Sequence, residues 1–235
     1  MNLLPTLIQV LPAADWLALV LFFAAWAGYA TFARRRSTVR PSLLALTNRE
    51  RVRWMLQTTL RDNRVIDGVV VQNLSTSPSF FASTSIIITG GLFALMGTTD
   101  KAAELVREIP FAQQTPILVF ELKVLVLVAI FVYAFFRFSW SMRQYTFASL
   151  VIGSMPDPED FATGKFDREQ FANRASAMLG LAAETFNSGL RAYYFSFAAM
   201  AWFFSPLAFL MATFLVVAIL YSREFRSDVL QVLND

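Results

Sequence analysis

The amino-acid sequence predicts an all-α integral membrane protein with four transmembrane helices and a cytoplasmic helical layer. Of its 235 residues, 56% are hydrophobic, and the mean hydropathy of +0.51 is well above that of a soluble globular chain. A helix needs roughly 20 apolar residues to cross the core of a bilayer. Apolar runs of about that length or longer occupy residues 15–33, 80–98, 116–139 and 192–221. The 20 basic and 17 acidic residues fall mostly between these runs. We therefore interpret residues 1–235 as a single membrane domain.

The distribution of basic residues predicts the topology. Nine Lys and Arg residues lie in 34–79 and six in 137–191, but two lie in 99–115 and none before the first run. Because cytoplasmic loops carry the excess of positive charge, we expect the connections 34–79 and 140–191 to face the cytoplasm. Both termini and the 99–115 loop are then outside (N-out, C-out). The first basic block follows the first run, which favours a retained anchor over a cleaved signal peptide.

The cytoplasmic connections carry helical patterns of their own. Residues 47–50 read Thr-Asn-Arg-Glu, a capping-box pattern that predicts the start of a basic amphipathic helix. Arg53, Arg61 and Arg64 fall on one side of that helix, where they could bind anionic lipid or a partner protein. The helix could instead pack on a second helix, which Asp167 is expected to cap.

Glycine and proline positions predict two features of the longer helices. No Gly or Pro occurs between Ile117 and Gly153, so one helix is expected to extend from the third run into the cytoplasm. Pro206 lies near the middle of the fourth run, where it crowds the carbonyl of Trp202 and removes one backbone hydrogen bond. We expect a kink there, which can act as a hinge or serve packing alone.

The composition excludes several kinds of chemistry. The chain has no Cys and no His, so it has no disulfide, thiolate metal site or Ser-His-Asp triad. The remaining residues show no catalytic constellation, metal site or cofactor motif, which disfavours an enzyme. The basic residues border membrane spans, as the positive-inside bias requires, and do not predict binding to nucleic acid.

Glu121 and Lys123 are charged residues inside the third apolar run. Charges within a membrane helix are candidates for function. Their i,i+2 spacing turns them about 200° apart, so each needs a partner on another helix or must reach the membrane surface. Structural pairing is the favoured interpretation, followed by a polar translocation path and then by lysine chemistry.

Small residues form a stripe in the second run, at Ser83, Gly90, Ala94 and Gly97. Such stripes let a neighbouring helix approach closely in membrane bundles. We therefore favour helix packing here over the lining of a solute path.

Several short blocks are similar to a known family. They are residues 57–63 (QTTLRDN), 82–84 (AST), 122–123 (LK), 143–145 (RQY) and, most specific, 189–195 (GLRAYYF) leading to Pro206. Together they resemble small bacterial and plant membrane proteins, catalogued only as a domain of unknown function, with four predicted spans. The resemblance implies the topology and a shared role, and it transfers no catalytic residue.

The most specific block contains Arg191, Tyr193 and Tyr194 at the cytoplasmic end of the fourth run. At headgroup level these side chains could anchor the helix or hold a lipid phosphate, a protein or another ligand. Anchoring is the favoured interpretation.

These patterns lead to an expected role without catalysis. We expect a multi-pass protein of the bacterial cytoplasmic (inner) membrane that serves as an accessory, partner-binding or self-associating scaffold protein. Its expected partners are membrane lipids and either a second copy or another membrane protein subunit. The alternative is an oligomeric transporter or channel for a small solute or lipid, with Glu121 and Lys123 along the path. A lipid-modifying enzyme is the third hypothesis.

Overall fold

The computed structural model describes residues 11–36, 42–98 and 116–234, and every regular element among them is an α-helix. There are eight such helices in this part of the chain. In chain order they are α1 (Ala13–Arg36), α2 (Leu43–Thr58), α3 (Val65–Met96), α4 (Ile117–Gly153), α5 (Pro158–Ala162), α6 (Arg168–Ala201), α7 (Pro206–Phe225) and α8 (Asp228–Asn234).

Four segments are long and apolar enough to cross a membrane: α1, α3, α4 and Pro206–Leu233. The first three match three of the predicted runs to within two residues at the run ends that they do not cover, which confirms the all-α membrane fold. The 99–115 loop, predicted to face outward, lies outside the described residues.

The helix boundaries around the connection 140–191 agree with the sequence. As predicted, α4 extends without a break from Ile117 to Gly153. Its end is followed by the short helix α5, whose first residue is Pro158. The carboxylate of Asp167 accepts a hydrogen bond from the backbone N–H of Gln170 at 3.0 Å, so Asp167 caps α6 as expected.

The helices contribute to two compact units. Unit 1 comprises residues 1–35, 85–134 and 190–222, and unit 2 comprises residues 36–84, 135–189 and 223–235. Five helices, α1, α3, α4, α6 and α7, have residues in both.

In unit 1 the chain reverses direction between α6 and α7. Phe195, seven residues before Trp202, and Phe209, seven residues after it, both contact the ring of Phe22 in α1, with centroids 5.5 and 4.8 Å away. Arg191 lies over Tyr29, further along α1. The end of α6 therefore runs antiparallel to α1, and α7 runs back parallel to it.

The expectation of one kinked helix over residues 192–221 is wrong. The α-helix ends at Ala201, and a new one begins at Pro206. Proline is favoured in the first turn of a helix because its missing N–H has no helical partner there. The hydroxyl of Ser205 accepts a hydrogen bond from the N–H of Ala208 at 3.0 Å and caps the new helix.

The chain reversal also changes the position of the C-terminal segment. In unit 2, α8 packs against α2, and the carboxylate of Glu224 accepts a hydrogen bond from the backbone N–H of Leu44 at 3.3 Å. The prediction that the C-terminus and the 34–79 connection lie on opposite sides of the membrane is therefore wrong. The prediction failed because the apolar region 192–221 passes along α1 twice instead of once.

Helix α2, in the connection 34–79, starts earlier and ends earlier than the capping pattern suggested. Ser42 caps α2, accepting from the N–H of Ala45 at 3.2 Å. Thr47 lies inside the helix, where its hydroxyl donates to the carbonyl of Leu43 at 2.8 Å. The helix ends at Thr58, so the predicted continuation through Arg61 and Arg64 is wrong.

Close packing of α4 and α6 in unit 2 requires a glycine. A Cβ atom added to Gly189 would lie 2.5 Å from Cε1 of Phe138, which is fully buried. Gly189 is the first residue of the most specific sequence block, and its lack of a side chain leaves room for the ring of Phe138.

Candidate functional site

Lys123 lies in the interior of unit 1, bonded to a residue at the chain reversal. Its ammonium group donates a hydrogen bond to the backbone carbonyl of Trp202 at 2.8 Å and lies 5.3 Å from the centroid of the same indole ring. Asp15 is the opposite charge, with Oδ1 3.9 Å from Nζ of Lys123. The same Oδ1 accepts a hydrogen bond from the Trp202 indole N–H at 2.6 Å. We call Asp15, Lys123 and Trp202 the ion-pair cluster.

The sequence around Pro206 explains why Trp202 offers an acceptor. In a continuous helix, the carbonyl of Trp202 would bond to the N–H of residue 206. Proline has no N–H, so this carbonyl has no helical donor. The ammonium of Lys123 supplies the missing hydrogen bond.

Burial decides how strongly the ion-pair cluster holds its helices. Asp15, Lys123 and Trp202 are 2%, 1% and 0% exposed. Removing two charges from water is costly, and the cost is offset when the ions pair and their remaining groups are hydrogen-bonded. In the cluster the two ions are 3.9 Å apart and each makes a hydrogen bond with Trp202, which ties α1, α4 and the chain reversal together. Loss of either ion would leave the other charge buried without its counter-charge.

The geometry favours a structural role for the ion-pair cluster. A general base or a polar path must present its group to substrate or water, whereas Lys123 and Asp15 are directed at each other and at Trp202. Among the described residues, no group of three or more acidic side chains is arranged to hold a metal ion.

Glu121 does not belong to the ion-pair cluster. It is half-buried, whereas Lys123, two residues later, is buried. The two side chains therefore differ in environment, as the i,i+2 spacing predicted. No finding tests a functional role for Glu121.

The block 189–195 contributes to the packing of unit 1. The hydroxyl of Tyr193 is hydrogen-bonded to the buried hydroxyl of Ser85 at 2.9 Å, and its ring meets Phe131 edge to face at 5.2 Å. The guanidinium of Arg191 lies 5.9 Å from the centroid of Tyr29. Tyr194 is half-buried. Anchoring or ligand binding by Arg191, Tyr193 and Tyr194 stays a prediction.

The predicted basic face of α2 is divided among separate contacts. Arg53 forms an exposed ion pair with Glu50 at 2.8 Å. Arg64 donates to the carbonyls of Met155 and Pro156 at 2.7 and 2.6 Å, beyond the end of α4. Arg61 lies after the end of α2 and pairs with the carboxylate of Asp67. The idea that these arginines form one helical face is wrong, because α2 ends before Arg61 and Arg64.

The carboxylate that Arg61 contacts is Asp67, which is buried in unit 2. Its Oδ1 accepts hydrogen bonds from the Trp54 indole N–H at 2.6 Å, the Thr58 hydroxyl at 3.1 Å and the Arg61 guanidinium at 2.6 Å. This contact connects the first turn of α3 to the end of α2.

Sequence reasoning identified Lys123 but missed Asp15 and Trp202 as its partners in unit 1, and it missed the buried Asp67 in unit 2. Asp15 had a usable signal, since it is an acid in the first turn of an apolar run while Lys123 is a base in another. Pro206 also indicated that the carbonyl of Trp202 would lack its helical donor. Nothing in the spacing linked these signals, because their contact depends on the chain reversal.

The fold and the ion-pair cluster define a multi-pass helical membrane protein whose buried charges connect its helices. The chain belongs to the family described as "Protein of unknown function, DUF599", whose model matches residues 17–229. This confirms the resemblance seen in the sequence blocks. The matched region contains Lys123, Trp202 and Pro206 and begins just after Asp15. No curated protein and no solved structure matches the chain.

Proposed function

We propose that the protein is a non-catalytic membrane subunit that binds a partner, either a second copy or another membrane protein, as an accessory or scaffold. The main support is the closed ion-pair cluster. Lys123 and Asp15 are almost fully buried and are used for contacts within the chain. Charges that are engaged in this way connect helices and are not available to a substrate.

Helix α3 is the surface through which we propose that the partner binds. Of the four candidate spans, α3 has the smallest buried share in its most apolar window, 11% against 50% for α4. Ser83, Gly90, Ala94 and Gly97 are all exposed, so the stripe predicted for helix packing is left uncovered by the residues that the structure describes. Small residues on an exposed membrane helix allow a second helix to approach closely.

The proposed location is the cytoplasmic (inner) membrane of a bacterium, in contact with its lipids. It is supported by the resemblance to bacterial proteins and by the basic residues that flank the apolar helices.

Native mass spectrometry of gently extracted protein tests the proposal. We expect a stoichiometric complex with a second copy or a foreign subunit. Gly90→Leu should shift that complex toward the single chain, because the larger side chain separates the helices. Gly28→Leu is the matched control, since Gly28 is also an exposed helical glycine of unit 1 with no atom within 4 Å of an added Cβ. A single chain without a partner, or equal effects of both variants, would contradict the proposal.

Transport by an oligomer is the second candidate, because oppositely charged residues inside a membrane protein often mark an ion or solute path. Glu121→Gln and Lys123→Met separate the two functions. Solute flux in proteoliposomes that both substitutions abolish would favour transport. Flux that both leave unchanged would remove Glu121 and Lys123 from any path.

A further inference from the structure

A cleft of about 670 Å³ opens between α3 and α4 in unit 2. Its volume lies within the roughly 300–1,000 Å³ of small-molecule sites. Six side chains with hydroxyl groups line it: Ser75, Thr76, Ser79, Tyr145, Thr146 and Ser149. Gln72 adds an amide group, and the lining residues in the described part of the chain include no charged side chain.

Four of these hydroxyls direct their proton to their own helix. Thr76 and Thr146 donate to the carbonyls four residues earlier, at 3.3 and 3.2 Å. Ser75 and Ser149 make comparable bonds at 2.7 and 3.1 Å. A hydroxyl has one proton and two lone pairs, so each of the four keeps the ability to accept a hydrogen bond. The amide of Gln72 can both donate and accept.

The lining selects the chemical class of the ligand. A charged ligand would meet no opposite charge among the lining side chains, which is costly. An apolar ligand would leave the amide of Gln72 and the acceptor lone pairs of the hydroxyls unused. A polyol can donate to the Ser and Thr oxygens and accept from Gln72, while its carbon skeleton contacts Phe80 and Tyr145. We propose that this cleft binds a neutral polyhydroxylated group, such as a sugar ring.

The position of the cleft along its helices suggests where such a group comes from. Phe80 on α3 and Trp140 on α4 are 66% and 47% exposed, and exposed aromatic residues at the ends of apolar stretches are typical of the membrane interface. The remaining lining residues lie on the polar side of both. A lipid with a polyol headgroup can therefore reach the cleft, and a free polyol is the second source.

Lipid retention by the full-length protein tests the ligand class. The protein is purified in a detergent without a sugar headgroup and titrated with glucosyl-diacylglycerol, or with phosphatidylcholine of the same acyl chains. Native mass spectrometry then measures the bound lipid. We expect stronger retention of the glucosyl lipid, and a loss of about fivefold for each hydroxyl removed by Thr76→Val or Thr146→Val.

Thr84→Val is the matched control. Thr84 is also on α3 and donates to the carbonyl of Phe80 at 2.9 Å, but it does not line the cleft. This substitution should leave retention unchanged. Ser79→Ala is a second variant in the cleft, for use if loss of circular dichroism or an altered elution volume shows that a Thr variant is misfolded.

Free methyl glucoside separates the two sources. If it binds without the lipid tail and Thr76→Val weakens it, the cleft takes a soluble polyol. If only the glucosyl lipid binds, the source is a headgroup. The proposal is overturned if neither binds more tightly than phosphatidylcholine, or if Thr84→Val reduces binding as much as the cleft variants do.

Discussion

Units 1 and 2 each bury a carboxylate that accepts an indole N–H at 2.6 Å and faces one cation. In unit 1, Asp15 bonds to Trp202 and pairs with Lys123. In unit 2, Asp67 bonds to Trp54 and pairs with Arg61. The cations differ, because Lys123 is 1% exposed and the Arg61 side chain is 45% exposed. Water can replace an exposed cation but not a buried one, so similar contacts should differ greatly in what they contribute to stability.

The largest expected effect is an all-or-none labelling pattern that shows on which side of the membrane α2 and α8 of unit 2 lie. The chain has no Cys, so Arg49→Cys on α2 and Gln231→Cys on α8 each introduce a single exposed thiol. Because α8 packs on α2, both should react with a membrane-impermeant maleimide from the same side of sealed vesicles. Thr98→Cys, beyond the end of α3, should react from the other side. If Gln231→Cys instead reacts from the same side as Thr98→Cys, the C-terminus lies outside, as the basic residues predicted.

Removal of the buried cation should cause the largest loss of stability. Lys123→Met leaves Asp15 buried without a counter-charge, and we expect a fall of about 3–5 kcal/mol in the free energy of unfolding. Denaturant titration in mixed micelles measures it. Glu121→Gln is the control on the same helix, and it should change stability by less than about 1 kcal/mol, since Glu121 is half-buried and outside the ion-pair cluster. Equal losses for the two variants would refute the assignment.

Close packing in unit 2 should give an intermediate effect that does not depend on charge. Gly189→Ala places a Cβ against the ring of Phe138 and should cost about 1–3 kcal/mol. Gly68→Ala is the control within the same unit, because no atom lies within 4 Å of the added Cβ and alanine favours a helix by about 1 kcal/mol. Thermal unfolding of both variants tests this. A tolerated Gly189→Ala would show that Phe138 can move aside.

The exposed cation of unit 2 should matter least. Arg61→Met removes the ion pair with Asp67 but leaves the hydrogen bonds from Trp54 and Thr58. We expect a loss of about 1 kcal/mol or less by the same denaturant titration, and a smaller one at high salt. A loss as large as that of Lys123→Met would remove the contrast between the units.

Local patterns predicted much of the fold. The first three apolar runs, the uninterrupted α4 and the Asp167 cap depend on neighbouring residues, and all were predicted correctly. The reversal between Ala201 and Pro206 was missed because Phe203 and Phe204 continue the apolar run across it. Hydropathy does not distinguish one long crossing from two antiparallel passes. The true cap of α2, Ser42, was missed because Thr47 offered an equally good cap pattern.

Of the ion-pair cluster, the sequence predicted Lys123 and missed its two partners. Lys123 stood out because a charge in an apolar helix is costly and requires a partner. The identity of that partner depends on which helices meet, and Asp15 and Lys123 meet beside Trp202, where α6 ends against α1. Hydroxyl side chains gave no sequence signal for the cleft, since Ser and Thr also occur in helices for packing alone.

A double-mutant cycle on Asp15→Asn and Lys123→Met tests most directly whether the buried ion pair stabilises unit 1. Unfolding free energies of the two single variants and the double variant would be measured in the same micelles. The Asn carboxamide oxygen can still accept the Trp202 indole N–H, so the neutral double variant should be more stable than Lys123→Met alone. We predict a coupling of about 2 kcal/mol or more. Losses that add within about 0.5 kcal/mol would show that Asp15 and Lys123 act independently and would contradict the structural role of the pair.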